Sequence, residues 1–156
     1  MTTRRTRAPS SRFQEHFAPY RTWASVDLGV RGLVGHPTGH SIVYANGPVP
    51  EGCAWPLGAI LVKEIRVTDD PRTWEIFALV KRGGSFDANP AAGWEFFTLG
   101  LATNGTPVIT GRGINPGTDP YSGGSGGGCN GCHGSTAARP YDSVLTVALR
   151  PRCPTR

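Results

Sequence analysis

The apolar residues of this chain come in short runs, and glycine, proline and aspartate cut each run near strand length. Residues 59–67, 74–82 and 94–101 are such runs, rich in Val, Ile, Leu, Phe and Trp. The breaks between them carry Asp69-Asp70-Pro71 and Asn89-Pro90, both turn signals. Residues 42–45 and 144–149 read as shorter strands. Four or five strands joined by turns predict an antiparallel sheet. Phe13, Phe17, Tyr20 and Trp23 recur at helical spacing, but Pro19 divides the pattern into two short pieces. The expected class is therefore α+β: mainly antiparallel β-sheet packed with a few short helices. With 22 Gly, 14 Pro and only 17% charged residues, a helical bundle or coiled coil is disfavoured.

At 156 residues the chain has room for one domain, placed at 13–156. Residues 1–12, rich in Arg, Ser and Thr, are expected to be a disordered basic tail. Residues 29–39 read as a loop of Gly, His and Pro, and residues 102–140 as mostly irregular. Seven glycines within residues 123–134 argue against any regular element there. No apolar stretch approaches the length of a membrane span. The first residues are basic like the start of an export signal, but no apolar segment follows. The chain is thus expected to be cytoplasmic, or to have its leader upstream or removed.

The net charge of +5 comes from 14 Arg and 2 Lys against 11 acids. Five Arg lie in the first 21 residues and three in the last seven, with no basic stripe interleaved with aromatics. A nucleic-acid partner is not expected from that footprint.

Cys129-Asn130-Gly131-Cys132-His133 is a C-x-x-C-H motif, the covalent haem-attachment signature. Two thiols add across the haem vinyl groups, and the adjacent His133 supplies an imidazole nitrogen to the iron. A redox dithiol would instead want a strand-to-helix setting. A structural zinc site lacks a second ligand pair, and a plain disulfide remains the simplest alternative. Met1 is the only methionine, so Met ligation opposite His133 is excluded. His36 and His40 could give bis-His iron, although their Gly- and Pro-rich surroundings favour solvated loop residues. An iron open on one face is the expected outcome. Cys53 and Cys153 form a spare pair. They are either a disulfide clipping the tail to the body in an oxidising compartment or two buried free thiols.

Along residues 61–67, period two puts Leu61, Lys63, Ile65 and Val67 on one face and Glu64 and Arg66 on the other, polar one. A lysine in an apolar row is either an edge lysine that snorkels outward or a desolvated amine able to act as a nucleophile. Lys81, beside Arg82, reads as a solvated strand end.

Read in order, several segments resemble the cytochrome P-460 family, which includes cytochrome c′-beta. They are Tyr20-Arg21-Thr22-Trp23, Val43-Tyr44-Ala45-Asn46, Gly58-Ala59-Ile60-Leu61-Val62-Lys63-Glu64, Phe86-Asp87, Gly93-Trp94-Glu95-Phe96, the haem motif, and Asp142-Ser143-Val144-Leu145-Thr146. The resemblance implies an antiparallel sheet against a few helices, a homodimer, and a haem c near the C-terminus. Cys129 and Cys132 would be its anchors and His133 its axial ligand. In the P-460 branch a lysine is also bonded to the porphyrin rim, and Lys63 matches it. That branch oxidises hydroxylamine with the help of a distal carboxylate. Here the carboxylate position falls on Phe77, and Glu75, two residues away, replaces it only if the register differs. A distal Phe resembles cytochrome c′-beta, which binds gases such as nitric oxide and lacks the cross-link. Phe97 is a further distal-pocket candidate.

The resemblance leaves three functions open: an enzyme oxidising hydroxylamine or a related nitrogen compound, a non-enzymatic gas-binding protein, or a bis-His electron carrier. The implied partners are a small nitrogenous ligand or substrate and an unidentified redox protein, with no membrane insertion. Haem c assembly outside the cytoplasm implies periplasmic residence.

Overall fold

The apolar runs are strands, and they lack a clean alternation because the sheet is covered on both faces. Leu61, Val62, Leu79, Val80, Phe96 and Phe97 are all buried, although neighbours along a strand point to opposite sides. The computed structural model describes residues 10–33, 36–83, 86–88, 90–117 and 127–154. It opens with helix α1 (Ser10–Phe17) and a 3-10 turn at Tyr20–Thr22, the two pieces expected on either side of Pro19. Six strands follow: β1 (Ala24–Leu33), β2 (His36–Ala45), β3 (Ile60–Arg66), β4 (Glu75–Lys81), β5 (Trp94–Leu101) and β6 (Pro107–Gly113). Helix α2 (Gly128–His133) and 3-10 turns at Arg139–Tyr141 and Val147–Leu149 complete the described chain. The strands form one sheet in sequence order, and every neighbouring pair is antiparallel. Among the described residues no helix is long and apolar enough to cross a membrane.

Several local expectations are corrected. Ser10–Arg12 belong to α1, and the rest of the expected tail, residues 1–9, lies outside the described residues. Residues 29–33 and 36–39, expected in a loop, are instead the facing ends of β1 and β2, and residues 34–35 lie outside the described residues. Gly29 sits at a register shift with φ +68°, where its amide donates to Asp27 Oδ1 at 2.8 Å. A glycine here marks a bulge inside a strand rather than its end. Residues 102–140 hold β6 and α2, and residues 147–149 form a 3-10 turn where a strand was expected.

One face, called here the motif face, carries Val43, Ala45, Leu61, Leu79, Trp94 and Phe96 under Trp55, Val144 and Leu149, with Cys129 packed alongside. The opposite, helix face carries Tyr44, Ile60, Val62, Ile76, Ala78, Val80, Phe97 and Leu99 under Phe17 and Tyr20. Glu64 was expected on a polar surface, yet it is fully buried on the helix face. It accepts from the Tyr20 hydroxyl, from Arg21 Nε at 2.9 Å and from Arg66 Nε at 2.8 Å. Glu95 is likewise buried between Arg82 and Arg112, 2.8 and 2.7 Å away. Four arginines are thus engaged by two buried carboxylates, which accounts for part of the basic excess without a polyanionic partner.

Burial pushes the Glu64 carboxyl up, but its bonds to Tyr20, Arg66 and Arg21 win, and it sits below the ordinary value of 4.5. A carboxyl depressed in this way stabilises the fold above the unfolded-state value, and the stabilisation is lost as pH falls through the folded-state value. Urea midpoints measured below pH 4.5 should therefore fall steeply in the wild type and less steeply in Glu64→Gln.

Cys53 and Cys153 form a disulfide across 100 residues of sequence. It ties the last described residues to the loop before Trp55, where Arg152 also donates its amide to Pro50 O at 2.9 Å. Cys53→Ser with Cys153→Ser should lower unfolding free energy by about 2–4 kcal/mol. Reductant should lower the urea midpoint of the wild type and leave that of the double variant unmoved.

Candidate functional site

Sheet register builds the floor of the site. Lys63 lies directly opposite Val43 on one side and Phe77 on the other, and Phe77 lies opposite Thr98. The next row is Ala45, Leu61, Leu79 and Phe96. Lys63 therefore stands on the motif face in an apolar row, as period two predicts. It is half-buried, and burial, with Arg31 adding to it, pushes its ammonium down to about 8. Glu75 is two pairs further along, opposite Ile65, so register puts Phe77 and not Glu75 across from Lys63.

The haem-motif residues stand on a short helix rather than in a glycine loop. Gly127 and Gly128 turn the chain into α2 with φ of +73° and +66°, a region costly for other residues. At the far end, a Cβ on Gly134 would lie 2.3 Å from Pro90, so only glycine lets the helix dock on that loop. Asn130 adds two ties, its Oδ1 accepting from Ala91 N at 3.2 Å and its backbone N–H donating to Asn115 Oδ1 at 3.0 Å. Cys129 is half-buried and Cys132 exposed, and no disulfide joins them. Glycines 123, 124 and 126 lie outside the described residues.

His133 ends α2 over the motif face. Its ring centroid is 5.3 Å from that of Phe96. Its Nδ1 donates to Ser143 O at 2.8 Å, which leaves Nε2 with the lone pair an iron would take. Burial lowers the His133 pKa, with Lys63 adding to the effect and the Ser143 bond opposing it. His36 joins the same cluster. Its ring meets the edge of Phe77 at 4.9 Å. Burial, with Lys63 and His133 assisting, pushes its pKa down to about 3, so it is a neutral imidazole at neutral pH. Cys132 in turn acts electrostatically on Lys63.

The fold thus gathers Lys63, Phe77, Cys132 and His133, which are 70 residues apart at the extremes, together with His36. It leaves others out. Phe97, expected in the distal pocket, points to the helix face and packs on Phe13 and Phe17, 6.1 and 5.2 Å away, and its neighbour Phe96 faces the site beside His133. His40 pairs with Asp27 at 2.7 Å, where both are largely exposed. Lys81 is not a solvated strand end: it is mostly buried, ion-paired with Asp142 and 4.8 Å above the Trp94 ring. Phe96 was detectable only as one of two adjacent phenylalanines, and which of them faces the site follows from register.

Among the described residues no group of three or more His, Cys, Asp or Glu gathers to ligate a metal ion. Two cysteines at the attachment spacing, one oriented imidazole and an apolar aromatic floor beside them are residues that could hold a haem c. No family model, curated protein or solved structure matches the chain.

Proposed function

We propose that this chain is a mono-haem c-type cytochrome of the P-460 type, with an open-faced iron, acting in hydroxylamine or nitrogen-oxide redox chemistry. Cys129 and Cys132 are its thioether anchors, His133 its axial ligand and Lys63 its rim cross-link. The observation that carries the reading is His133 Nδ1 held by a backbone carbonyl, on the same helix as Cys129 and Cys132 and over the same sheet face as Lys63. A haem bound there would supply a redox iron reachable by a small nitrogenous ligand. Around it, Phe77, Phe96 and the neutral His36 ring exclude water. The Cys53–Cys153 disulfide supports residence in an oxidising compartment such as the periplasm.

Two other readings each have an observation in their favour. Phe77 opposite Lys63, in place of a carboxylate, favours a non-enzymatic nitric-oxide-binding protein like cytochrome c′-beta. His36 against Phe77 favours a bis-His electron carrier. Spectra and turnover separate the three. The chain made with extracytoplasmic haem maturation should gain the mass of one haem under denaturing conditions. A red-shifted ferrous Soret band that disappears in Lys63→Arg supports the cross-link, and an ordinary c-type band in the wild type removes it. Hydroxylamine turnover with an artificial acceptor supports the enzyme. Nitric oxide binding without turnover supports the second reading, and low-spin six-coordinate resting iron that becomes five-coordinate in His36→Ala supports the third. If Glu75→Ala leaves turnover unchanged, Glu75 is not the base. The homodimer implied by the resemblance is tested by sedimentation velocity on the same material.

A further inference from the structure

Two consecutive residues other than glycine, Asp142 and Ser143, hold left-handed φ values of +52° and +64°. That conformation is strained for side-chain-bearing residues and persists only where the surroundings impose it. Here they do. The Asp142 carboxylate forms an ion pair with Lys81 Nζ on β4 and accepts from the Trp55 amide at 2.8 Å. Its carbonyl accepts from Trp94 Nε1 on β5 at 2.8 Å. The Ser143 amide donates to Ala138 O at 3.0 Å. The product of this turn is one buried carbonyl in a defined place: Ser143 O, 2.8 Å from His133 Nδ1.

We infer that Asp142, anchored to the sheet by Lys81 and Trp94, is the positioning residue of His133. Its clamp fixes the Ser143 carbonyl, and that carbonyl fixes the Nδ1–H tautomer and the ring orientation. The role rests on the haem reading above only for its purpose, since the clamp itself is complete in the bare chain. Partners that hold the second nitrogen of a metal-bound histidine set its tautomer and basicity. Asp suits the position because it tolerates left-handed backbone and brings the charge that Lys81 holds. Asn tolerates the same backbone but surrenders the charge.

The test uses the full chain as wild type, Asp142→Asn, Lys81→Met and Lys81→Arg. In haem-loaded ferrous protein the iron–histidine stretching frequency should fall in Asp142→Asn and fall similarly in Lys81→Met. It should return towards wild type in Lys81→Arg, and the double variant should fall no further than either single one. A purely electrostatic role would move the midpoint potential in opposite directions for the two charge deletions and leave the stretch alone, which would overturn the clamp. In the haem-free chain, nitrogen NMR should find His133 as the Nδ1–H tautomer in the wild type and as a mixture in Asp142→Asn. An unmixed tautomer in that variant also overturns it. Wild type that takes up no haem sinks the proposed function, while the tautomer measurement still judges the clamp.

Discussion

Cys129→Ser with Cys132→Ser should abolish covalent pigment altogether. In the wild type, acid–acetone should leave the colour on the protein, and the denatured mass should exceed that of the polypeptide by one haem. In the double variant the extract should carry the colour and the mass should be that of the polypeptide alone. The loss is complete because thioether attachment needs a thiol at each vinyl group, and the other two cysteines are bonded to each other. The fold should survive, since Cys132 is exposed and Cys129 only half-buried. Far-UV circular dichroism and the urea midpoint of the haem-free double variant should match those of the haem-free wild type. Pigment retained through acid–acetone in the double variant would remove both thiols from the proposal.

Trp94→Ala should be the most destabilising single substitution on the motif face, at about 3–5 kcal/mol. Trp94 is fully buried in the cluster that includes Phe96, Leu79, Val144 and Leu149. Its Nε1 bond to Asp142 O and the Lys81 ammonium above its ring add polar ties that alanine cannot replace. A domain of this size holds about 5–15 kcal/mol in total, so the variant should be partly unfolded at 37 °C. Trp94→Phe keeps most of the packing but strands the Asp142 carbonyl, and should cost about 1–3 kcal/mol. Urea denaturation monitored by circular dichroism measures both. Equal losses in the two variants would mean that the hydrogen bond, not the cavity, dominates.

The strands with the strongest apolar content were legible in the sequence to within a residue or two. Residues 59–67, 74–82 and 94–101 correspond to β3, β4 and β5, the central strands. Central strands are buried on both faces, so their composition alone marks them. The edge of the sheet was not legible. β1 has Gly29 and Gly32 in its length, and β6 has Gly111 and Gly113, so both read as loop by composition. Edge strands form because a finished neighbour offers them a ladder of hydrogen bonds, which is a non-local cause. The helical start of the motif was missed for a similar reason. Gly127 and Gly128 disfavour a helix alone, and docking of Gly134 on Pro90 supplies what propensity lacks.

By itself the sequence determined the chemistry that depends on spacing along the chain: a thiol pair and an imidazole within five residues, and an amine on the apolar side of a strand. Period two places Lys63 without knowledge of any other strand, because side-chain alternation is a local property of extended backbone. Only the tertiary structure decided what stands across from what. Phe77 facing Lys63, Phe96 rather than Phe97 under His133, His36 turned inward, Glu64 buried between arginines and Lys81 holding Asp142 all depend on register and on contacts between distant segments. A one-residue slip in register would exchange the two faces of a strand, and nothing within a single strand records which neighbour it will meet.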